Sequence, residues 1–394
     1  MRTVLLLAYD YPPAASVGAS IRAVKFARYL PEFGWRPVVL ALDPGGRDLP
    51  DDGVERVPTW LPPHRPFNLR PWGWIPAAAR RASALAGTRS IDLVFATCPP
   101  FPPALAAVAA ARRLRCPLVT DFRDAWTRSP YPEPSRAMHR LAPPLFAALE
   151  RRVLRRSAAL VLNTPSALAA YRRAYPDLAP RMHHLPNGYD EADFAGLAAP
   201  AAAPGAHMQI VHAGAFASSR RDPAPFLRAL ARFNAGGVRA RLTVLGDGAV
   251  PPDMADQVTC TGPLDHGAAL RAMAAADVLL VYQQPSGSQV TAVAGKTFEY
   301  LRTGRAILAV APAGDNIDLV RRHATRHACV TNYGEDAMVA ALESLHAGWR
   351  SGAPPPRRTA AEFEACYERR RITQRLAGLF DAVAGQRSLR RDQV

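Results

Sequence analysis

The chain has 394 residues, of which 49% are hydrophobic and 21% charged, a composition that indicates a globular protein and excludes a disordered or fibrous one. Its net charge of +16 at pH 7 predicts attraction to phosphates, anionic lipid headgroups or nucleic acid, without choosing among them. The five cysteines form no C-x-x-C pair and no apolar run reaches 18 residues, so a zinc cluster, a disulfide framework and a membrane-spanning helix are not expected.

Short apolar runs alternate with helical patterns in the first half of the chain, beginning with a run after Met1 that favours a strand over a signal peptide. The predicted strands are Val4–Ala8, Pro37–Ala41, Leu93–Ala96, Pro117–Thr120 and Ala159–Leu162. The predicted helices are Ala19–Leu30, Pro103–Leu114 and Leu145–Arg156. Alternation of this kind is typical of a doubly wound parallel sheet.

A second alternating set follows an Ala- and Pro-rich stretch at Leu197–His207. Its predicted strands are Gln209–His212, Arg241–Leu245, Gln257–Thr259, Val278–Val281 and Ala306–Val310. Its predicted helices are Pro223–Phe233, Gly267–Ala275, Lys296–Arg302 and Ile317–His323. A last long helix, Thr359–Ala384, is expected after the Pro-rich break at Ala353–Pro356.

The predicted fold class is therefore α/β, with two Rossmann-like doubly wound parallel-sheet domains facing across a cleft. The length also favours two domains. We expect an N-terminal domain over 1–196, a linker over 197–207, a second domain over 208–352, and a C-terminal segment over 353–394 whose helix crosses back to the first domain. Ligands of such folds bind at the carboxyl ends of the strands.

The block from Gly295 to Gly304 contains Lys296, one of only two lysines among 49 basic residues. Glu299 follows three residues later, so both side chains leave the same face of the predicted helix. An ammonium and a carboxylate near a helix N-terminus suit a ligand that carries phosphate and sugar hydroxyls. The alternative is an ordinary solvated salt bridge.

Turns after several predicted strands carry small residues that would let a phosphate approach the backbone. The first of them lacks G-x-G-x-x-G, which disfavours a nicotinamide or flavin site. In the second domain, Arg220 and Arg221 follow such a turn and can pair with phosphoryl oxygens. Plain turns and solvated arginines remain the alternatives. The small residues concerned are Gly18, Gly214, Gly246 and Thr261.

Two acids and an arginine, Asp121, Arg123 and Asp124, directly follow a predicted buried strand. Side chains in that position point towards the cleft, where they would contact an acceptor, although structural ion pairing is an equal alternative. The chain contains no D-x-D pair. We therefore expect no metal ion, and lysine and arginine are expected to balance the charge of a leaving group.

Several blocks together resemble the family 4 glycosyltransferases of GT-B fold, and the resemblance spans almost the whole chain. The blocks are Tyr11-Pro12-Pro13 with Gly18, Asp124-Ala125-Trp126, Pro186-Asn187-Gly188 and Lys296 to Gly304, and they occur in the family's order. The Lys-x-x-Glu-Tyr-Leu pattern is most similar to the branch that makes bacterial surface polysaccharides.

The resemblance implies a retaining hexosyltransferase that moves a sugar from a nucleoside-diphosphate sugar, expected to be a UDP-sugar, to a hydroxyl of a lipid-linked glycan or surface-polysaccharide intermediate. Glu299 would hold the ribose hydroxyls, and Lys296 with Arg220 or Arg221 would neutralise the diphosphate. Two positions depart from the family pattern: Thr291 replaces the first glutamate of the Glu-x7-Glu motif, and Ala215 replaces the usual arginine. No cofactor is implied beyond the sugar-nucleotide co-substrate.

A basic aromatic segment between Trp60 and Arg81 and the arginine-rich helix Leu145–Arg156 suit a membrane interface. We expect a cytoplasmic protein attached peripherally to the anionic inner face of the plasma membrane. The alternative is a surface loop that packs its tryptophans on the domain.

Two other functions stay open. A sugar-nucleotide epimerase of GT-B fold would bind the same donor without an acceptor, but the ten histidines show no grouping that such chemistry favours. A non-catalytic basic protein that binds RNA or membranes is the second. No recognised nucleic-acid module is visible, so a nucleic-acid partner is not expected.

Overall fold

The structure is a computed structural model that describes residues 1–13, 17–45, 52–62, 69–128, 143–197, 205–217, 222–248, 252–284, 292–352 and 361–391. The chain divides into two compact units, Met1–Asn187 with Arg369–Val394, and Gly188–Glu368. Most of the predicted linker 197–207, and all of the break Ala353–Pro356, lie outside the described residues.

The first unit is built on a seven-stranded sheet in which every neighbouring pair is parallel. The strands run in the order β3-β2-β1-β4-β5-β6-β7. All six residues of the fourth strand are buried, as expected for a parallel sheet with both faces covered. The strands are β1 (Arg2–Leu7), β2 (Trp35–Leu42), β3 (Glu55–Val57), β4 (Leu93–Cys98), β5 (Leu118–Phe122), β6 (Ala159–Leu162) and β7 (Met182–His184).

In the described residues, five α-helices of this unit precede the second unit, and three of them begin with proline, the residue whose missing N–H is least costly at that position. The hydroxyl of Thr164 also caps one of them by accepting the backbone N–H of Ala167 at 3.3 Å. The helices are α1 (Val17–Tyr29), α2 (Arg70–Leu85), α3 (Pro103–Leu114), α4 (Pro143–Arg156) and α5 (Pro165–Ala174).

Helix α2 falls within the aromatic segment predicted to face a membrane. Trp74 is fully buried and its indole N–H donates to the carbonyl of Val57 at 3.1 Å. Trp72 packs edge-on against Phe146 with ring centroids 5.9 Å apart. The interface prediction is therefore wrong for these two tryptophans, whereas Trp60 is 70% exposed. His64, Arg65 and Phe67 of the same segment lie outside the described residues.

The second unit contains a six-stranded sheet that is also parallel throughout, in the order β10-β9-β8-β11-β12-β13. The strand that comes first in this unit, β8, lies inside the sheet. The next two strands, β9 and β10, lie on one side of it, and β11, β12 and β13 lie on the other. In the first unit β1 has the same position. The predicted α/β class with two doubly wound sheets is thus confirmed. The strands are β8 (Met208–Ala213), β9 (Ala240–Leu245), β10 (Val258–Cys260), β11 (Val278–Tyr282), β12 (Ala306–Val310) and β13 (His327–Val330).

Six helices accompany this sheet in the described part of the second unit. The two that begin at His266 and at Gly295 carry the candidate site residues of this unit. The helices are α6 (Ala224–Phe233), α7 (His266–Ala275), α8 (Gly295–Thr303), α9 (Asp315–His323), α10 (Glu335–Arg350) and α11 (Ala361–Tyr367).

The C-terminal segment is not one helix, as predicted over Thr359–Ala384, but two, because α11 ends before Glu368 and the final helix α12 spans Arg369–Arg391. Helix α12 belongs to the first unit. There Phe380 packs on Trp35 and on Phe95, each with ring centroids 5.3 Å apart. Among the described residues, no helix combines the length and apolarity needed to cross a bilayer.

Candidate functional site

Helix α8 is hydrogen-bonded to the carboxyl end of β8 through one residue, Ala213. The Lys296 ammonium donates to the Ala213 carbonyl, and the Ala213 N–H donates to the hydroxyl of Tyr300 at 2.8 Å. Lys296 and Tyr300 are four residues apart and so lie on the same helix face. The Lys296 ammonium also lies 3.0 Å from Nε2 of His212. These contacts fix the first turn of α8 at the edge of the sheet where ligands bind in such folds.

Two glycine turns approach each other beside the lysine. A Cβ added to Gly246 would lie 2.6 Å from the carbonyl carbon of Gly214, which is too close for any side chain. A Cβ added to Gly214, whose φ is +90°, would lie 3.9 Å from the Lys296 ammonium. Gly214 and Ala215 are exposed. The lysine charge is therefore presented next to an accessible stretch of bare backbone.

Glu299 leaves α8 towards α7. Its Oε1 accepts a hydrogen bond from Nε2 of His266 at 2.9 Å, and Nδ1 of the same histidine lies 3.9 Å from Asp193. His266 opens α7, whose first turn is capped by Asp265 through the N–H of Ala268 at 2.8 Å. The lysine and the glutamate that the sequence pairs thus contact different elements, and the Glu299 side chain is 24% exposed.

The other predicted donor-side residues of the second unit that can be described occupy the same edge of this sheet. Thr261 is exposed after β10, with its hydroxyl 2.9 Å from the carbonyl oxygen of Gly262. Gly295 is the exposed first residue of α8. Arg220, Arg221 and Thr291 lie outside the described residues, so their roles stay predictions.

The first unit holds the remaining predicted residues. Gly18 is the second residue of α1, and residues 14–16 before it are outside the described part of the chain. Arg123 donates to the carbonyl of Pro99 at 2.6 Å and is half-buried, like its neighbour Asp124. Both follow β5. This is the position in which the sequence predicts contacts to the acceptor, and those contacts stay a prediction.

Asp121 is fully buried and its carboxylate is engaged by the protein. The guanidinium of Arg22 donates to both of its oxygens at 2.9 Å, and the hydroxyl of Thr97 donates to one of them at 2.8 Å. Arg22 also donates to the carbonyls of Leu185 at 2.9 Å and Pro186 at 2.7 Å. This bidentate pair ties α1 and the segment after β7 to the sheet, which is the structural ion pairing that the sequence left open.

Asp10 is a further candidate that the sequence motifs missed. It comes three residues after Leu7, the last residue of β1, at the same sheet edge as Arg123. Burial raises the pKa of Asp10, while the nearby charge of Arg123 lowers it. A carboxyl with a raised pKa near a ligand-binding edge is a functional candidate. Its place after an apolar strand was the available signal.

A buried glutamate braces the loop that carries Asp124-Ala125-Trp126. Glu150 accepts hydrogen bonds from the backbone N–H and the hydroxyl of Thr127, each at 2.8 Å, and from the hydroxyls of Tyr171 at 2.8 Å and Tyr175 at 2.6 Å. Burial, followed by the charge of Glu150, holds the pKa of Tyr171 well above its usual value. The conformation of this loop is therefore determined by the body of the first unit.

Within the described ranges, no three His, Cys, Asp or Glu side chains are grouped as a metal site requires. That the reaction needs no metal ion stays a prediction. It depends on the positive charge of Lys296 at the carboxyl edge of the second unit's sheet.

Comparison with known proteins gives a family match to part of the chain. The sequence model of Glycosyltransferase Family 4 matches residues 17–193. No curated protein matches the chain significantly.

Solved structures share the fold over nearly the whole chain. HepE from Anabaena, in complex with UDP and glucose, has a TM-score of 0.60 at 14% identity, covering 96% of this chain and 99% of that one. The catalytic domain of starch synthase IV from Arabidopsis thaliana, bound to ADP and acarbose, has a TM-score of 0.62 at 10% identity, covering 98% and 99%.

A third solved structure belongs to a different class of enzyme. UDP-GlcNAc 2-epimerase from Methanocaldococcus jannaschii has a TM-score of 0.59 at 10% identity, covering 97% of this chain and 100% of that one. Similarity at these identities establishes the fold and not the substrate. The chain thus has the GT-B fold of these solved structures, and its residues 17–193 match the model of the family that the sequence resembles, Glycosyltransferase Family 4.

Proposed function

We propose that this protein is a retaining hexosyltransferase that uses a UDP-sugar, and that the donor binds at the carboxyl edge of the second unit's sheet. The observation that carries the proposal is the Lys296 ammonium held beside the exposed Gly214 turn. A fixed positive charge next to bare backbone is suited to a diphosphate.

The leaving diphosphate develops negative charge as the bond to the sugar breaks. Lys296 would stabilise that charge directly, and the first turn of the nine-residue helix α8 adds its positive dipole end. Arg220 or Arg221 would supply a second cation after the Gly214 turn. If these cations balance the charge of the diphosphate, the reaction requires no divalent ion.

Glu299 would accept hydrogen bonds from the ribose hydroxyls of the donor. A carboxylate has two oxygens, and one of them is already bound by His266 at 2.9 Å. That bond restricts the rotation of the Glu299 side chain and turns the carboxylate towards α7. Because His266 is half-exposed, the hydrogen-bonded pair of His266 and Glu299 is accessible from solvent.

Retention follows if the donor's own phosphate assists the acceptor. In this step the bond between the anomeric carbon and the phosphate oxygen breaks, and a bond to the acceptor oxygen forms on the same face of the sugar. The proton of the acceptor hydroxyl passes to the departing phosphate. The protein supplies electrostatic stabilisation and positioning rather than a nucleophile.

The acceptor would bind at the carboxyl edge of the first unit's sheet, at Asp10, Arg123 and Asp124. Asp121 is left out because Arg22 and Thr97 occupy its oxygens. We expect a lipid-linked glycan or surface-polysaccharide intermediate as acceptor. This class agrees with the surface-polysaccharide branch that the Lys296 block resembles.

Peripheral attachment to an anionic membrane on the cytoplasmic side is supported by α4. Its four arginines, Arg151, Arg152, Arg155 and Arg156, are exposed, and Leu145 in its first turn is 56% exposed.

Flotation with anionic liposomes tests this attachment: replacing the four arginines of α4 by glutamine should abolish salt-sensitive binding. As a matched control, replacing Arg228 and Arg232, which pair with Glu335 and Asp336, should leave binding intact. Binding that survives the four substitutions would refute the role of α4.

An activity assay separates the proposal from the epimerase alternative, which the epimerase of the same fold keeps open. A panel of UDP-, GDP- and ADP-sugars is incubated with and without a lipid-linked glycan acceptor. A transferase releases the diphosphate only when the acceptor is present. Conversion of the sugar nucleotide into its epimer without acceptor would favour the alternative, and absence of both reactions would contradict the proposal.

A further inference from the structure

We infer that His212 is a positioning residue: a neutral imidazole that holds the Lys296 ammonium at the donor site without cancelling its charge. The inference rests on the proposed donor site. His212 lies in β8 and belongs to none of the motifs found in the sequence. Its Nδ1 lies 2.9 Å from the carbonyl oxygen of Leu280, and its Nε2 lies 3.0 Å from the Lys296 ammonium.

These two distances determine the tautomer. A backbone carbonyl only accepts hydrogen bonds, so the proton must be on Nδ1. A lysine ammonium only donates, so Nε2 must present its lone pair. Both bonds exist together only in the neutral imidazole with its proton on Nδ1. A second proton on Nε2 would place an imidazolium against the ammonium.

The imidazole is fixed in place by its surroundings. His212 is fully buried, and its ring packs against that of Phe216 with centroids 5.0 Å apart. Its strand β8 is paired with β9 on one side and β11 on the other. The lysine stem, by contrast, has four flexible carbons. Bonds to the Ala213 carbonyl and to His212 therefore define where its charge lies.

The choice of partner matters electrostatically. A carboxylate in place of His212 would form an ion pair and offset the positive charge that a diphosphate needs. A neutral imidazole gives the same directional bond and leaves the net charge of the ammonium in place. Such preorganisation of a charge is effective in catalysis because little reorganisation is needed as the leaving group forms.

Two substitutions separate positioning from support of the strand. His212→Gln places an amide oxygen near the position of Nε2 and loses the bond to Leu280, whereas His212→Asn keeps a donor near the position of Nδ1 and loses the acceptor for Lys296. Affinity for UDP is measured by calorimetry, and stability by thermal unfolding. If the wild type prefers GDP or ADP, that diphosphate replaces UDP.

We expect a crossed result. The Asn variant should bind the diphosphate about ten- to a hundredfold more weakly, by analogy with groups that orient metal-ligating side chains, with little change in melting temperature. The Gln variant should bind close to the wild type and melt earlier. Binding that follows the melting temperature in both variants would mean that His212 only supports the strand.

A double-mutant cycle with Lys296→Met tests the coupling. In that background His212→Asn should have no further effect on binding, because its effect passes through the lysine. Independent losses that add would overturn the inference. If the Asn variant does not fold, His212→Phe, which keeps the ring and removes both bonds, replaces it and should show the loss of affinity expected of the Asn variant.

The outcomes also distinguish this inference from the proposed function. A wild type that binds none of the three diphosphates refutes the donor site and with it the role of His212. A wild type that binds, with an Asn variant that binds equally well, refutes the positioning role alone.

Discussion

The Tyr300 hydroxyl accepts a hydrogen bond from the backbone N–H of Ala213 at 2.8 Å, while the Lys296 ammonium, one helical turn earlier, donates one to the carbonyl of the same residue. One residue of β8 thus uses both of its backbone groups to hold α8. The Lys-x-x-x-Tyr spacing within the block has this structural purpose, because positions four apart share a helix face. The position of the lysine charge depends on it.

Tyr300→Phe should lower the free energy of unfolding by about 1–3 kcal/mol, because the Ala213 N–H loses its acceptor. Urea unfolding measures the change. Tyr189→Phe is the matched control: the Tyr189 hydroxyl is buried and has no hydrogen-bond partner among the described residues, so its removal should be neutral or stabilising. Equal losses in the two variants would contradict the role of Tyr300.

Lys296→Met should lower kcat by about 10²–10³-fold, the usual cost of removing one preorganised donor from a developing anion. The fold should persist, since the replaced side chain is only half-buried. Steady-state kinetics with a saturating donor measure the effect. Arg302→Met, in the last turn of the same helix and paired with Glu191, serves as control and should retain turnover. An unchanged kcat in Lys296→Met would remove this residue from the mechanism.

Asp121→Asn should destabilise the protein by about 3–5 kcal/mol, because it leaves the Arg22 guanidinium buried without its counter-charge. Replacing the pair together, with Arg22→Met and Asp121→Leu, should cost less than the single substitution. Urea unfolding compares the two. A stable Asp121→Asn protein that has lost turnover would instead return Asp121 to the acceptor site.

Asp10→Asn should stabilise the protein at neutral pH. Burial raises the pKa of Asp10 in the folded state above the unfolded value of 3.8. Between those two pKa values the folded state binds more protons than the unfolded state, so wild-type stability falls as pH rises through that window. Asparagine cannot ionise and escapes this loss.

Unfolding at pH 7.5 and at pH near 3 tests this sign. The stability advantage of Asp10→Asn should be present at the higher pH and absent below the unfolded pKa. A variant that is less stable than the wild type at pH 7.5 would show that the folded state favours the charged carboxylate.

Most strands of both sheets could be predicted because they are short continuous apolar runs with both faces covered. The strands β3, β7 and β13 were missed, because they are three or four residues long and contain charged residues or histidine. Helix α2 could not, because it contains Gly73 and Pro76, which usually disfavour helices. The fold requires that glycine: a Cβ on Gly73 would lie 2.7 Å from the side chains of Leu61 and Thr59. Tertiary packing here outweighs local preference.

The donor-side residues were partly visible in the sequence, because Lys296 and Glu299 sit in a distinctive block. His212 was not, since a histidine within an apolar strand is indistinguishable from a core residue. Its partner comes from 84 residues away. Asp121 illustrates the opposite case: its position after a strand indicated a ligand contact, but Arg22, 99 residues earlier, occupies its carboxylate.

Calorimetric titration with UDP in the presence of EDTA tests the central claim most directly. We predict saturable binding to the wild type without any divalent ion, and a strong loss of affinity in Lys296→Met. Equal affinity in the two proteins, or binding that appears only when a divalent metal is added, would contradict the account.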